Sequence, residues 1–136
     1  MENEIICLDT SVLIDYFRKK NKKNSFLFQL SKKYSNFSIS VVTEYEIYSG
    51  SNDIQDVFWN DLLQSFTIFS FNSKVNAIAV EIYKQMKKSR NLIDVPDIWI
   101  GATAIENNIK LATLNVKHFN RIENLELITN EKDHND

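Results

Sequence analysis

Glycine and proline are scarce in this chain of 136 residues, which has two of the first and one of the second. All-β sandwiches and barrels connect many short strands through turns that these two residues favour. Their scarcity therefore argues against an all-β fold and favours helices joined by short connections.

The chain also lacks the cysteines of a disulfide framework and the long apolar runs of a membrane protein. Its single cysteine, Cys7, lies within a short apolar run, so we expect a small buried core residue. No apolar run approaches the roughly 18 residues that indicate a membrane span. The first four residues are acidic rather than basic, unlike the start of a signal peptide. We expect a cytoplasmic protein with no membrane partner.

An excess of basic charge is missing as well, because the formal net charge is −2. Domains that bind nucleic acid strongly usually carry a clear basic excess. The basic residues are nevertheless clustered, and two interpretations stay open: favourable contact with helix C-termini, or local attraction for phosphate. The clusters are Lys19, Lys20, Lys22 and Lys23, then Lys32 and Lys33, then Lys87, Lys88 and Arg90.

Short apolar runs alternate with helical periodicities along the chain. The runs predict strands at 5–8, 37–42, 67–71 and 110–113, and a further run at 125–128 would make a fifth strand. Apolar residues at helical spacing predict the intervening helices, of which 73–88 is the longest and 95–107 the most apolar. The alternation predicts an α/β fold: a single domain over residues 1–129 with a mostly parallel sheet of four to five strands and helices on both faces. Residues 130–136 are expected to form a polar tail.

Three carboxylates follow strands or open helices in this arrangement. Asp9 directly follows the first strand, Glu46 comes one turn into the helix after the second strand, and Asp97 opens the apolar helix. Helices that directly follow parallel strands begin at one edge of the sheet, so Asp9 and Glu46 should be neighbours there. Converging carboxylates repel unless a divalent cation joins them, and oxygen ligands suit Mg²⁺ or Mn²⁺. The chemistry that fits is phosphodiester hydrolysis.

Each of these acids also fits a simpler role as a helix cap. Thr43 and Glu46 have the spacing of a capping box, with Thr43 as the N-cap of a helix at 44–48. Asp94, followed by Pro96, has the features of an ordinary helix start, and Asp9 could cap the first helix. The functional interpretation therefore depends on the three acids meeting.

Four polar residues near these positions are candidates for supporting roles. Ser11 and Thr43 could orient the carboxylates by hydrogen bonds. Thr113 and Asn115 lie just past the fourth strand, which is next to the first strand if the strand order switches between them. Asn115 could hold a water or a phosphate oxygen, or simply form a turn.

Four segments of the chain carry a family resemblance: LDTSVLID at 8–15, ISVVTEYEIYSG at 39–50, DIWIGATA at 97–104 and LATLNVKHF at 111–119. In this order they resemble the segments of PIN-domain ribonucleases, and specifically of VapC-type toxins of bacterial toxin–antitoxin pairs. The resemblance implies a PIN-like domain that cleaves RNA with one or two magnesium or manganese ions held by Asp9, Glu46 and Asp97. It also implies a homodimer inhibited by a cognate antitoxin protein.

The family pattern places its glutamate three residues after the threonine and four before the glycine, which selects Glu46 over Glu44. Helical geometry agrees, because the two side chains point about 200° apart. Many relatives have a fourth acid after the fourth strand, where this chain offers Asn115 and His118. Asn115 is favoured as a polar contributor and His118 is interpreted as a surface or packing residue. Asp94 and Asp15 are further acids considered for the edge of the site, and neither is assigned to it.

Other classes fit the sequence less well. Haloacid-dehalogenase phosphatases need a second aspartate two residues after the first, where this chain has Ser11. Receiver domains need a phosphoacceptor at the end of a later strand, but the predicted third strand runs into Asn72. Two alternatives remain within the PIN-like fold: an RNA-processing nuclease without a toxin role, and a non-catalytic binding module.

Overall fold

A computed structural model describes residues 2–130, so the tail predicted at 130–136 lies, apart from its first residue, outside the described residues. The strands are Glu2–Leu8 (β1), Tyr34–Ser40 (β2), Thr67–Phe69 (β3), Leu111–Ala112 (β4) and Leu127–Ile128 (β5). The α-helices are Thr10–Arg18 (α1), Phe26–Ser31 (α2), Val41–Ser49 (α3), Asp53–Leu63 (α4), Ser73–Lys88 (α5), Val95–Glu106 (α6) and Val116–Phe119 (α7).

The five strands form one parallel sheet in the order β3-β2-β1-β4-β5. The chain builds outward from β1 through β2 to β3, and then returns to the other side of β1 with β4 and β5. This confirms the predicted α/β class and the predicted neighbourhood of the first and fourth strands. The order reverses between β1 and β4, and open α/β sheets bind ligands outside the carboxyl ends of their strands at such a point.

Helices cover both faces of the sheet, as the alternation of side chains along β1 shows. Ile6 and Leu8 join a core cluster with residues of α1, α2, α3 and α4, whereas Cys7 joins a second cluster with residues of α5 and α6. All three side chains are fully buried, which confirms the predicted core role of Cys7. None of the helices described within residues 2–130 is long and apolar enough to cross a bilayer.

The boundary between β2 and α3 differs from the prediction. The strand ends at Ser40 and the helix begins at Val41, because the Ser40 hydroxyl accepts the backbone N–H of Val42 (3.0 Å) and caps the helix. Thr43 is therefore the third residue of α3, and its predicted role as the N-cap of a capping box with Glu46 is wrong. The short helix α7 was not predicted at all.

Candidate active site

Apart from Asp97, the polar residues predicted to act together lie past the carboxyl ends of β1, β2 and β4. Asp9 follows β1, α3 with Glu46 follows β2, and Thr113 follows β4. Because β1 pairs in parallel with both β2 and β4, these three strand ends share one edge of the sheet. The strand order thus brings together residues that are up to about 100 positions apart in sequence.

Asp9 is the most enclosed of the candidate acids, with 3% of its surface exposed. Its Oδ1 accepts the hydroxyl of Ser11 (2.5 Å) and the backbone N–H of Val12 (3.3 Å), and its Oδ2 accepts the hydroxyl of Thr113 (2.6 Å). The bond from Val12 makes Asp9 the N-cap of α1. The cap interpretation of Asp9 is therefore correct, and it coexists with a place at the shared edge.

Burial raises the pKa of Asp9 from 3.8 to about 6. The hydrogen bonds from Ser11, Thr113 and Val12 lower this pKa, whereas the charge of Asp97 raises it further. The Asp97 carboxylate of α6 therefore lies close enough to Asp9 for its charge to disfavour ionisation of Asp9. A buried carboxylate beside a second acid is a group whose ionised form a cation would stabilise strongly.

The segment after β4 holds in place the two hydroxyls that bind Asp9. The backbone N–H of Leu114 donates to Ser11 Oγ (3.1 Å), and that of Asn115 donates to Thr113 Oγ1 (2.8 Å). Each hydroxyl thus accepts from a backbone amide while it donates to the carboxylate. These contacts agree with the supporting roles predicted for Ser11 and Thr113.

Glu46 is held by a hydroxyl that the sequence did not indicate. Thr10 Oγ1 donates to Glu46 Oε1 (2.7 Å) and also lies 3.2 Å from the hydroxyl of Thr43, which is fully buried. Thr10 is the first residue of α1 and directly follows Asp9. Glu46 is thereby tied to the start of α1 rather than to the start of its own helix, and the hydroxyl of Thr43 is linked to it through Thr10.

Asp97 lies in the first turn of α6, and its partner is His118 of α7. The two are joined at 2.9 Å between Asp97 Oδ2 and His118 Nδ1, and the Asn115 side-chain amide lies 3.0 Å from the same ring nitrogen. His118, interpreted from the sequence as a surface or packing residue, is partly exposed and also contacts Asp97. The Asn115 side chain lies against the same imidazole, and its role toward a water or a phosphate stays a prediction.

The two further acids considered for the edge of the site each lie at the start of a helix or contact one. Asp15 Oδ2 accepts the backbone N–H of Phe26 at the start of α2 (3.0 Å), and Asp15 also pairs with Lys19 (3.6 Å). Asp94 occupies the N-cap position of α6, but it is exposed and its side chain makes no capping hydrogen bond.

The donor atoms at this edge suit a hard divalent cation. Asp9, Glu46 and Asp97 offer carboxylate oxygens, which Mg²⁺ and Mn²⁺ prefer, whereas the cysteine thiol that zinc would favour lies in the buried core. As they stand, no three His, Cys, Asp or Glu side chains of residues 2–130 are grouped closely enough to hold a metal ion. The three-carboxylate metal site stays a prediction, and binding an ion would have to draw the side chains together.

The residues missed by sequence reasoning are Thr10 and His118. Thr10 directly follows Asp9 as the first residue of α1, and no role in the site was predicted for it. The available signal was that the first residue of α1 must lie near the start of α3, because β1 and β2 are neighbouring parallel strands. His118 had no comparable signal, because its partner Asp97 is 21 residues away and the short helix between Val116 and Phe119 was not expected.

The PIN domain family model matches residues 6–125. Among curated proteins, ribonuclease VapC1 of Methanocaldococcus jannaschii is 37% identical over 123 residues, which cover 90% of this chain and 84% of that protein. Ribonuclease VapC10 of Mycobacterium tuberculosis is 31% identical over 121 residues, which cover 89% of this chain and 90% of that protein.

Solved structures show the same fold. The crystal structure of VapBC2 from Rickettsia felis bound to a DNA fragment from their promoter contains a chain with a TM-score of 0.77 and 26% identity. The alignment covers 92% of this chain and 98% of that one. The structural similarity therefore extends over most of the chain.

Proposed function

This chain belongs to the PIN domain family, and from that premise we propose that it is a metal-dependent endoribonuclease, the toxin of a toxin–antitoxin pair. The observation that carries the proposal is the enclosed Asp9 at the end of β1, whose two carboxylate oxygens are held by the hydroxyls of Ser11 and Thr113. The relatives in Methanocaldococcus and Mycobacterium are ribonucleases over nearly the same span, which supports RNA as the substrate.

Asp9, Glu46 and Asp97 would hold the ion, with Mg²⁺ as the first candidate and Mn²⁺ as the second. When bound, such an ion polarises a phosphoryl oxygen and lowers the pKa of the attacking water. The chain's own contribution is orientation: Ser11 and Thr113 fix both oxygens of Asp9, and Thr10 fixes Oε1 of Glu46. Holding these side chains in place reduces the reorganisation that binding and catalysis would otherwise require.

The proposal extends to the partners and the place of action. The fold is shared with VapBC2 of Rickettsia felis, which supports a cognate antitoxin that binds this chain. We further propose a homodimer acting in the cytoplasm, with residues 1–129 as the nuclease domain. Expression of the chain alone should arrest growth, and a small reading frame next to its gene should relieve the arrest. Light scattering on the purified chain would give the oligomeric state.

The direct test compares the parent protein with Asp9→Asn in RNA cleavage with added magnesium, with manganese and with EDTA. We expect the parent to cleave RNA only with a divalent cation, and Asp9→Asn to cleave no more than a blank without enzyme. Mapping the new 5′ ends would identify the cleavage site. Asp61→Asn makes the same change of atoms at an exposed position of α4 and serves as the matched control. Cleavage by Asp9→Asn at the parental rate would contradict the assignment.

A further inference from the structure

The contact between His118 and Asp97 joins α7 to α6, two helices that β4 separates along the chain. We propose that His118 is a positioning residue that holds the Asp97 carboxylate in the orientation needed for metal binding. The inference rests on the proposed metal-dependent function and deepens it, because it assigns a role to a side chain that has none in the three-carboxylate scheme.

The packing of α7 against α6 fixes where His118 can lie. Phe119, the next residue, is fully buried, and Ile122 is 4% exposed in the same core cluster. They pack at Gly101 of α6, where a Cβ would lie 2.7 Å from Ile122 Cδ1 and 3.9 Å from Phe119 Cδ1. The absence of a side chain at Gly101 is thus what allows this close approach.

Asp97 lies on the same side of α6 as this contact. Asp97 and Gly101 are four residues apart, so their Cα–Cβ directions share one face of the helix, one turn apart. The segment that packs at Gly101 therefore carries His118 to Asp97. Both partners are only partly exposed, with 37% of the His118 side chain and 19% of the Asp97 side chain accessible. The hydrogen bond between them is thus partly shielded from competing water.

The chemistry of the contact assigns the proton. A carboxylate can only accept hydrogen bonds, so the hydrogen between Asp97 Oδ2 and His118 Nδ1 belongs to the ring nitrogen, which donates it. This bond engages one oxygen of Asp97 and leaves the other, Oδ1, for a cation. Removing a partner that orients a metal-binding side chain in this way typically lowers metal affinity or activity by about 10- to 100-fold.

The test uses three substitutions of His118 that distinguish the role of Nδ1 from that of Nε2. Asparagine places an amide nitrogen on Cγ, close to the position of Nδ1, whereas glutamine places one near Nε2, and alanine has neither. We expect His118→Asn to keep magnesium affinity close to the parental value, and His118→Gln and His118→Ala to lower it about 10- to 100-fold. Rescue by asparagine but not by glutamine is a pattern that a purely structural role would not give.

Two measurements should be made on each variant. The first is the magnesium concentration at half-maximal RNA cleavage, together with the rate at saturating magnesium. The second is the rise in melting temperature on adding magnesium, which reports binding without any catalysis. His134→Asn, at the chain's other histidine, is the matched control. Equal magnesium affinity in the parent, His118→Gln and His118→Ala, or failure of His118→Asn to restore it, would overturn the inference.

The same experiment separates this inference from the proposed function. Asp97→Asn should abolish the magnesium-induced rise in melting temperature whatever the role of His118. If Asp97→Asn and the parent respond equally to magnesium, the metal site itself is wrong. If Asp97→Asn loses the response while all His118 variants keep it, the metal site stands and only the positioning role fails.

Discussion

Replacing Asp9 with asparagine should stabilise the metal-free protein while it abolishes cleavage. Burial raises the pKa of Asp9 from 3.8 to about 6, so the folded state holds an ionised Asp9 at neutral pH at a cost. At 1.36 kcal/mol per pKa unit, that cost is about 3 kcal/mol. Asparagine is neutral, similar in size and a good N-cap, so it keeps the bond from Val12. Thr113 must then accept rather than donate, which costs about 1 kcal/mol.

The net expected gain is about 2 kcal/mol, or a melting temperature higher by roughly 5 to 10 °C in a domain of this size. The effect has a defined pH dependence. Because the pKa of Asp9 is higher in the folded state, the folded chain binds the proton more tightly, and the free energy of unfolding of the parent falls as pH rises from about 4 to 6. The advantage of Asp9→Asn should therefore shrink by about 2 kcal/mol between about pH 7.5 and about pH 4.5.

Thermal unfolding in EDTA at both pH values measures this effect directly. Asp61→Asn, on the exposed surface of α4, should change the free energy of unfolding by less than about 0.5 kcal/mol at either pH. Added magnesium should then make the parent more stable than Asp9→Asn at neutral pH, because only the parent is expected to bind the ion. An Asp9→Asn protein that melts below the parent in EDTA at neutral pH would refute the burial reasoning.

Three further predictions concern Glu46, its partner Thr10, and the packing against Gly101 of α6. Glu46→Gln should lose cleavage with little change in melting temperature, because Glu46 caps no helix and its contact with Thr10 can persist; intact cleavage would remove Glu46 from the site. Thr10→Val deletes the hydroxyl that holds Glu46 and should weaken magnesium binding about 10-fold or more, measured by the thermal shift. Gly101→Ala should destabilise the fold by about 1 kcal/mol, because the added methyl group overpacks against Ile122. Ile122→Val in the same chain should recover most of that loss, because it removes the Cδ1 atom that the methyl group meets. Additive losses of stability in the double-mutant cycle would contradict the contact.

The fold was largely predictable because its strands are short apolar runs with clear polar boundaries. The run that ends at Leu8 is buried on both faces, and a parallel sheet follows from its alternation with helices. The boundary after the second strand was not predictable, since Ser40 and Thr43 are both competent N-caps and Val41 and Val42 extend the apolar run. Packing in the folded chain selects Ser40, which a local pattern does not reveal.

The site was predictable to the extent that the sheet dictates it. Asp9 and Thr113 follow neighbouring strands, so strand order alone brings them together. The contact between Asp97 and His118 depends instead on how closely α7 approaches α6, which is set by a missing side chain at Gly101. A helix of four residues is too short to show a periodic apolar pattern in the sequence, and a contact between helices has no local sequence signal.

The competing interpretations of Asp9, helix cap and catalytic acid, turn out to describe one arrangement. The bond from Val12 caps α1, and by doing so it fixes the carboxylate against the end of β1, where Thr113 and Ser11 can reach it. A cap alone would be satisfied by a neutral oxygen acceptor, which would avoid the energetic cost of an ionised buried group. The ionised form of Asp9, buried and near the charge of Asp97, therefore costs folding free energy that a neutral cap would not. The proposed metal site would account for a carboxylate at this position, because a bound cation would remove that cost.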